Sequence, residues 1–123
     1  MTQENKELLL KDLCVRLPYS VKINENTQGD FTVIGLTTER VFTTCETEGC
    51  HNDFPVECVK PYLFPLSSMT EEQEKEYNDL NCYELGCFPH SEEALDYLTK
   101  NHFDYRYLIE KGLAIDATSL NIY

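Results

Sequence analysis

Between Leu17 and Val21 the hydrophobic repeat of this chain changes from a helical to an extended period, with Pro18 at the break. Before the break, Leu10, Leu13, Cys14 and Leu17 recur at i, i+3, i+4 and i+7, and Leu9 widens the stripe. Residues 4–17 are therefore read as an amphipathic helix. Leu17 precedes a proline and is biased away from helical ψ, which ends the helix. After the break, Val21 and Ile23 share one side of an alternating run with Lys22 on the other. The polar segment Asn24 to Asp30 ends in Gly29–Asp30 and reads as a turn. Phe31 to Thr38 and Arg40 to Thr44 are the next two strands, with Gly35 marking a bulge or sharp bend in the first. An irregular acidic run, Glu46 to Asp53, leads to a fourth short strand at Val56–Val59. Proline cannot donate to a ladder, so Pro61 and Pro65 exclude KPYLFPL from the middle of a sheet. Its apolar Tyr62, Leu63, Phe64 and Leu66 are expected to lie across the sheet and close one end of the core. Cys14 and Cys58 also read as core positions.

The rest of the chain reads as helical. Ser68 with Glu71, or Thr70 with Gln73, forms a capping box for a helix over 70–80. That helix has only Tyr77 and Leu80 as large apolar residues and belongs on the surface. A loop, 81–89, follows. Ser91 caps a helix over 92–100 that turns Ala94, Leu95 and Leu98 inward and carries Glu92 and Glu93 in its first turn. Asn101 is a stop, Asp104 caps a last short helix over 105–111, and Gly112 ends it in a left-handed cap. This order gives an α+β fold in one domain, 1–123. A small curled antiparallel sheet, an SH3-like barrel being one form of it, is preceded by one helix and followed by two or three.

Charge narrows the partners. Twenty-two acidic residues against ten basic ones leave a net charge of −12, and no Lys or Arg stands between Arg40 and Lys60. Such a field repels phosphate backbones and anionic membranes, so direct nucleic-acid or membrane binding is not expected. The acidic surface reads first as a solvated face that confers solubility, and in a sharper reading as attraction to a basic partner or mimicry of nucleic acid. The opening MTQENKELLL has no secretory pattern, and no run approaches the ~20 apolar residues of a membrane helix. A cytoplasmic protein with free thiols is the expectation.

Several side-chain groups qualify as sites. Cys45-x4-Cys50-His51 and Cys82-x4-Cys87-x2-His90 are two similar clusters. Brought together, Cys45, Cys50, Cys82 and Cys87, with His51 or His90 in place of one of them, would make a structural zinc site, although x4 spacing is looser than the usual x2. No G-x-S-x-G, H-E-x-x-H, P-loop or G-x-G-x-x-G occurs, so neither catalysis nor a cofactor is expected. Tyrosine, phenylalanine and arginine anchor interfaces, and they crowd at Tyr62, Phe64, Tyr105, Arg106 and Tyr107, the expected partner-binding surface. In a structural role the same segment supplies a core plug in Phe103, a cap in Asp104 and an ion-pair donor in Arg106.

The strings KDLCVRLPYSVKI (11–23), VKPYLFPLSSMTEEQ (59–73) and NHFDYRYLIEKGLAIDA (101–117) together resemble a family of small uncharacterised proteins encoded by gut Bacteroidales and by their phages and mobile elements. The resemblance leaves out residues 27–55 and 81–89. Ser20 and Tyr107 stand where members of that family often carry glycine. The resemblance implies a phage or mobile-element setting in a bacterial cytoplasm and carries no activity with it. The resulting reading is a non-enzymatic accessory protein that binds a host or phage protein. The alternatives are a zinc-stabilised domain and an acidic nucleic-acid mimic that inhibits a host protein.

Overall fold

The computed structural model describes residues 1–44, 51–81 and 92–123, with the side chain of residue 81 left out. Helix α1 spans Gln3–Arg16, and the Thr2 hydroxyl caps it by accepting from the Asn5 amide at 3.1 Å. Its buried residues are Leu9, Asp12, Leu13 and Arg16. The spacing is the expected one, but the stripe is turned by one residue, and Cys14 is exposed rather than buried. Two charged side chains hold the inward positions, which the apolar pattern alone does not credit. A short 3-10 turn, Leu17–Tyr19, includes Pro18, and Ser20 then reverses the chain at φ 56°.

Five strands follow: β1 (Lys22–Glu25), β2 (Gly29–Leu36), β3 (Arg40–Thr44), β4 (His51–Pro55) and β5 (Val59–Pro65). Two-residue strands β6 (Phe103–Asp104) and β7 (Ile115–Asp116) complete a sheet of order β4-β3-β2-β1-β5-β6, with β7 also on β5. The ladders from β4 to β5 are antiparallel, whereas β6 and β7 run parallel to β5, so the sheet is mixed. It is also open, which corrects the barrel form of the expectation. Closure needs a ladder between the outermost strands, and the short β6 and β7 are both occupied by β5.

Two local expectations are overturned for related reasons. KPYLFPL does enter the sheet, because its prolines fall where ladders stop. Pro61 is the last residue of β5 paired with β1, and Pro65 ends the strand. Between them, β5 changes partner to β7 and β6. Likewise, the fourth strand is His51–Pro55, which begins within the segment read as irregular, and Val56–Cys58 is a 3-10 turn with Cys58 exposed. Phe54 explains this. It faces Val41 across the ladder and packs its ring 5.1 Å from Phe31, while the polar His51 and Asp53 point to water. The bulge expected at Gly35 is present, as a register shift between Val33 and Gly35.

Helix α1 covers one face of the sheet, where Leu9 and Leu13 meet Ile23, Val33, Val41 and Val56. Helices α2 (Glu71–Asn81) and α3 (Glu92–Lys100) build a second cluster with Phe103 and Tyr105, into which Tyr77, Ala94 and Leu98 are buried. Of the two capping boxes considered, Thr70 and Gln73 form theirs reciprocally, at 3.2 and 3.0 Å. The expected third helix, 105–111, is instead a run of turns. The Asp104 carboxylate accepts the amides of Leu108 and Ile109, both at 2.9 Å, and Gly112 closes the run at φ 75°.

Ser20 and Tyr107, at φ 56° and 58°, both occupy the left-handed region that favours glycine. Relief of this conformation, partly offset by glycine's greater freedom in the unfolded chain, should make Ser20→Gly about 0.5 kcal/mol more stable. Urea unfolding measures this directly. A loss of stability would mean that the exposed serine side chain holds the turn.

Candidate functional site

A fully buried pair of opposite charges lies where α1 meets β6. Arg16 is fully buried; its Nε donates to Asp12 Oδ2 at 2.7 Å and its Nη2 donates to the Phe103 carbonyl at 2.5 Å. Arg106, arriving from the far turn, brings its Nε within 3.5 Å of Asp12 Oδ1. The Tyr105 ring lies beside both arginines, 5.3 Å from the Arg16 guanidinium carbon and 5.2 Å from that of Arg106. Burial pushes the Asp12 carboxyl up, against the pull of the Arg16 and Arg106 guanidiniums. This arrangement fixes α1 to the chain's last third. Its signal in the sequence is an Asp and an Arg four apart, in phase with Leu9 and Leu13 on one helical face.

That junction redraws the expected partner surface. Tyr105 is a core residue, and so is Tyr62, whose hydroxyl donates to Asp30 Oδ1 at 2.5 Å and is pushed up to about 12 by burial and then by that carboxylate. Neither can face a partner, because each ring is already enclosed by the fold. Phe64 is half-buried against Phe103 and Tyr123, and Arg106 is half-buried against Asp12. Tyr107 alone of the five is exposed, at 46%.

Tyr123 has a position that its tail location did not suggest. Its hydroxyl accepts from the Lys22 amide at 2.9 Å and donates to the Tyr62 carbonyl at 2.8 Å. Those two backbone groups belong to β1 and β5, one step past the last paired residues, Ile23 and Pro61. The phenol thus bridges the strands where their ladder ends. Its ring stacks on His102, with centroids 3.7 Å apart and planes at 12°. His102 is itself left-handed at φ 63°, and burial, aided by the Arg16 charge, lowers its imidazole to about 4.

On the opposite side of the sheet from α1, β2 and β3 carry two large apolar side chains in water. Ile34 at the bulge is 51% exposed and Phe42 is 40% exposed. Phe42 is paired with Gly35, where a Cβ would lie 3.7 Å from the Phe42 Cβ, so no neighbouring side chain covers it from that position. An ion pair between Arg40 and Asp53 borders the patch on the β3–β4 side.

Of the six metal candidates, Cys45, Cys50, Cys82, Cys87 and His90 lie outside the described residues. His51 is exposed at the start of β4. Among the described residues no three His, Cys, Asp or Glu side chains converge as metal ligands. No described helix is long and apolar enough to cross a membrane. The geometry defines an α+β protein with an open mixed sheet, one face of which is covered by a helix. No family model, curated protein or solved structure matches the chain.

Proposed function

We propose that this is a non-enzymatic accessory protein that binds a basic protein partner through the outer face of β2 and β3. The observation that carries the reading is the pair Ile34 and Phe42, held exposed on a sheet whose other face packs into the core with α1. A sheet face presents side chains from fixed backbone positions, so a partner meets the pair with little ordering cost. Apolar anchors beside charged residues are the composition of an interface core and rim. The charge of −12 selects the sign of the partner. The sequence resemblance supports a phage or mobile-element setting, and with it a bacterial cytoplasm.

The test is capture from a bacterial lysate by the wild-type chain and by an Ile34→Glu/Phe42→Ser variant. Both positions are exposed, so the variant should melt within about 3 °C of wild type. A basic protein retained by wild type should bind the variant at least about tenfold more weakly, and its association rate should fall steeply with salt. Equal retention by the two chains would rule out this face.

A further inference from the structure

We infer that the chain forms a homodimer in which β4 pairs antiparallel with β4 of a second copy, about a two-fold axis at Asn52. The inference is independent of the sheet-face reading, because the outer face of β2 and β3 stays open in such a dimer. Strand β4 ends the sheet, and among the described residues no strand pairs with its far side. Its own hydrogen bonds show which backbone groups face that side. The Asn52 carbonyl accepts from the Thr43 hydroxyl at 3.0 Å, so it points towards β3. The Val56 amide donates to the Glu39 carbonyl at 3.1 Å and points the same way. The Arg40 carbonyl accepts from the Thr37 amide at 2.9 Å and so points away from β4. Directions alternate along an antiparallel pair. Asn52 and Phe54 are therefore engaged with β3, whereas His51, Asp53 and Pro55 turn their backbone groups outward. His51 and Asp53 are both exposed. The Asp53 carbonyl accepts one long bond, 3.4 Å, from Arg40 Nη2 and keeps a lone pair. Outward N–H and C=O groups on an exposed edge are a template for another strand.

The sequence of the edge selects the occupant and its register. A second copy bonds through its own outward residues, so the axis can sit at His51, Asn52 or Asp53. An axis at His51 sets histidine against histidine. An axis at Asp53 sets carboxylate against carboxylate, and sets His51 against Pro55, which has no N–H to give. An axis at Asn52 sets His51 against Asp53 twice, and every outward N–H and C=O of the two residues is then bonded. The side chains agree with this register, since alternate residues of a strand share a face. Arg40 Nε donates to Asp53 Oδ2, which leaves Oδ1 for the imidazole N–H opposite, a donor in either protonation state. A charge on an edge strand usually keeps other strands away, but here each Asp53 meets a donor. The contact is isologous, as a two-fold dimer requires. It is also small, one short strand from each copy, well below the roughly 1,200 Å² of a stable complex, so the dimer is weak. Two chains of net charge −12 also repel at long range, and salt removes that term.

The test is sedimentation equilibrium of the full chain at about 0.5 M salt, where the Debye length is about 4 Å. A dimer should form with a dissociation constant on the order of 0.5 mM. In the chain labelled with 15N, amide shifts that depend on concentration should centre on His51 and Asp53. His51→Lys sets an opposite charge against each Asp53 and should tighten the dimer about fivefold. His51→Asp sets carboxylate against carboxylate and should loosen it by about the same factor. His51 is exposed, so both variants should keep the fold. A monomer at about 2 mM, shifts centred on Ile34 and Phe42, or the same response to both substitutions would overturn the inference.

Discussion

Replacing Arg16 with methionine should lower the unfolding free energy by about 3–5 kcal/mol, a large share of the ~5–15 kcal/mol that holds a domain folded. The methionine fills much of the same volume, so the loss is electrostatic. Asp12 would be left fully buried without its closest cation, and the Phe103 carbonyl without its donor. Arg106, 3.5 Å away and on one carboxylate oxygen only, compensates in part. Arg16→Lys keeps the charge but loses the planar fork that reaches Asp12 and Phe103 together, and should fall between wild type and Arg16→Met.

The double variant Asp12→Leu/Arg16→Met separates a lost pair from an orphaned charge. Removing both partners eliminates the stranded carboxylate, so more than half of the single-variant loss should return. The unpaired Phe103 carbonyl remains and keeps the double variant about 1–2 kcal/mol below wild type. Urea unfolding followed by circular dichroism reads all four chains. A loss under about 1 kcal/mol in Arg16→Met would mean that the junction is not what fixes α1 to β6.

The same junction shows what the sequence makes legible. Period and spacing located α1 to within a residue at each end, because Leu9 and Leu13 lie in any reading of the stripe. They placed the face one residue off, because Asp12 and Arg16 score as solvent residues until a partner is known. That partner, the Phe103 carbonyl, lies 87 positions away. Pairing over such a separation leaves no local trace. The strand errors share this cause. Pro61 and Pro65 are poor strand residues by local rule, but the rule concerns continuing a ladder, and here they end ladders. His51 to Asp53 looks irregular until β3 supplies opposing residues for all of β4.

For the candidate surface, composition pointed to aromatic crowding, and crowding is ambiguous by nature. The rings of Tyr62 and Tyr105 crowd because they are core, with polar ends satisfied or charged neighbours alongside. Ile34 and Phe42 do not stand out in the sequence, for the opposite reason. In a strand pattern they read as ordinary β-formers, and only the bulge at Ile34 and the missing side chain at Gly35 reveal which face they take. A β-bulge between two apolar residues is thus the local signal that an alternating pattern has changed sides.

Acidification should destabilise the protein over a window set by His102. Its imidazole titrates near 6.5 in an unfolded chain and at about 4 in the folded one. Between those values the unfolded chain binds a proton that the folded chain refuses, so stability rises with pH and is lost as pH falls from about 6.5 to about 4. The two and a half pH decades, at about 1.4 kcal/mol each, set a ceiling of about 3.5 kcal/mol, and partial exposure of the ring reduces the expected loss to about 2 kcal/mol. Other groups add their own slopes. Glu25, held down by Thr27 and Gln28, loses stability in the same direction at lower pH, while Asp12, raised by burial, works in the opposite sense. The His102 contribution is isolated by His102→Asn, since asparagine tolerates a positive φ and does not titrate. The variant loses the stack on Tyr123 and should be less stable than wild type at pH 7.5. Its stability should fall less between pH 6.5 and 4.5, so the two curves converge on acidification. Parallel curves would mean that His102 takes up its proton as readily in the folded protein as in the unfolded chain, and that Arg16 and the Tyr123 stack do not exclude it.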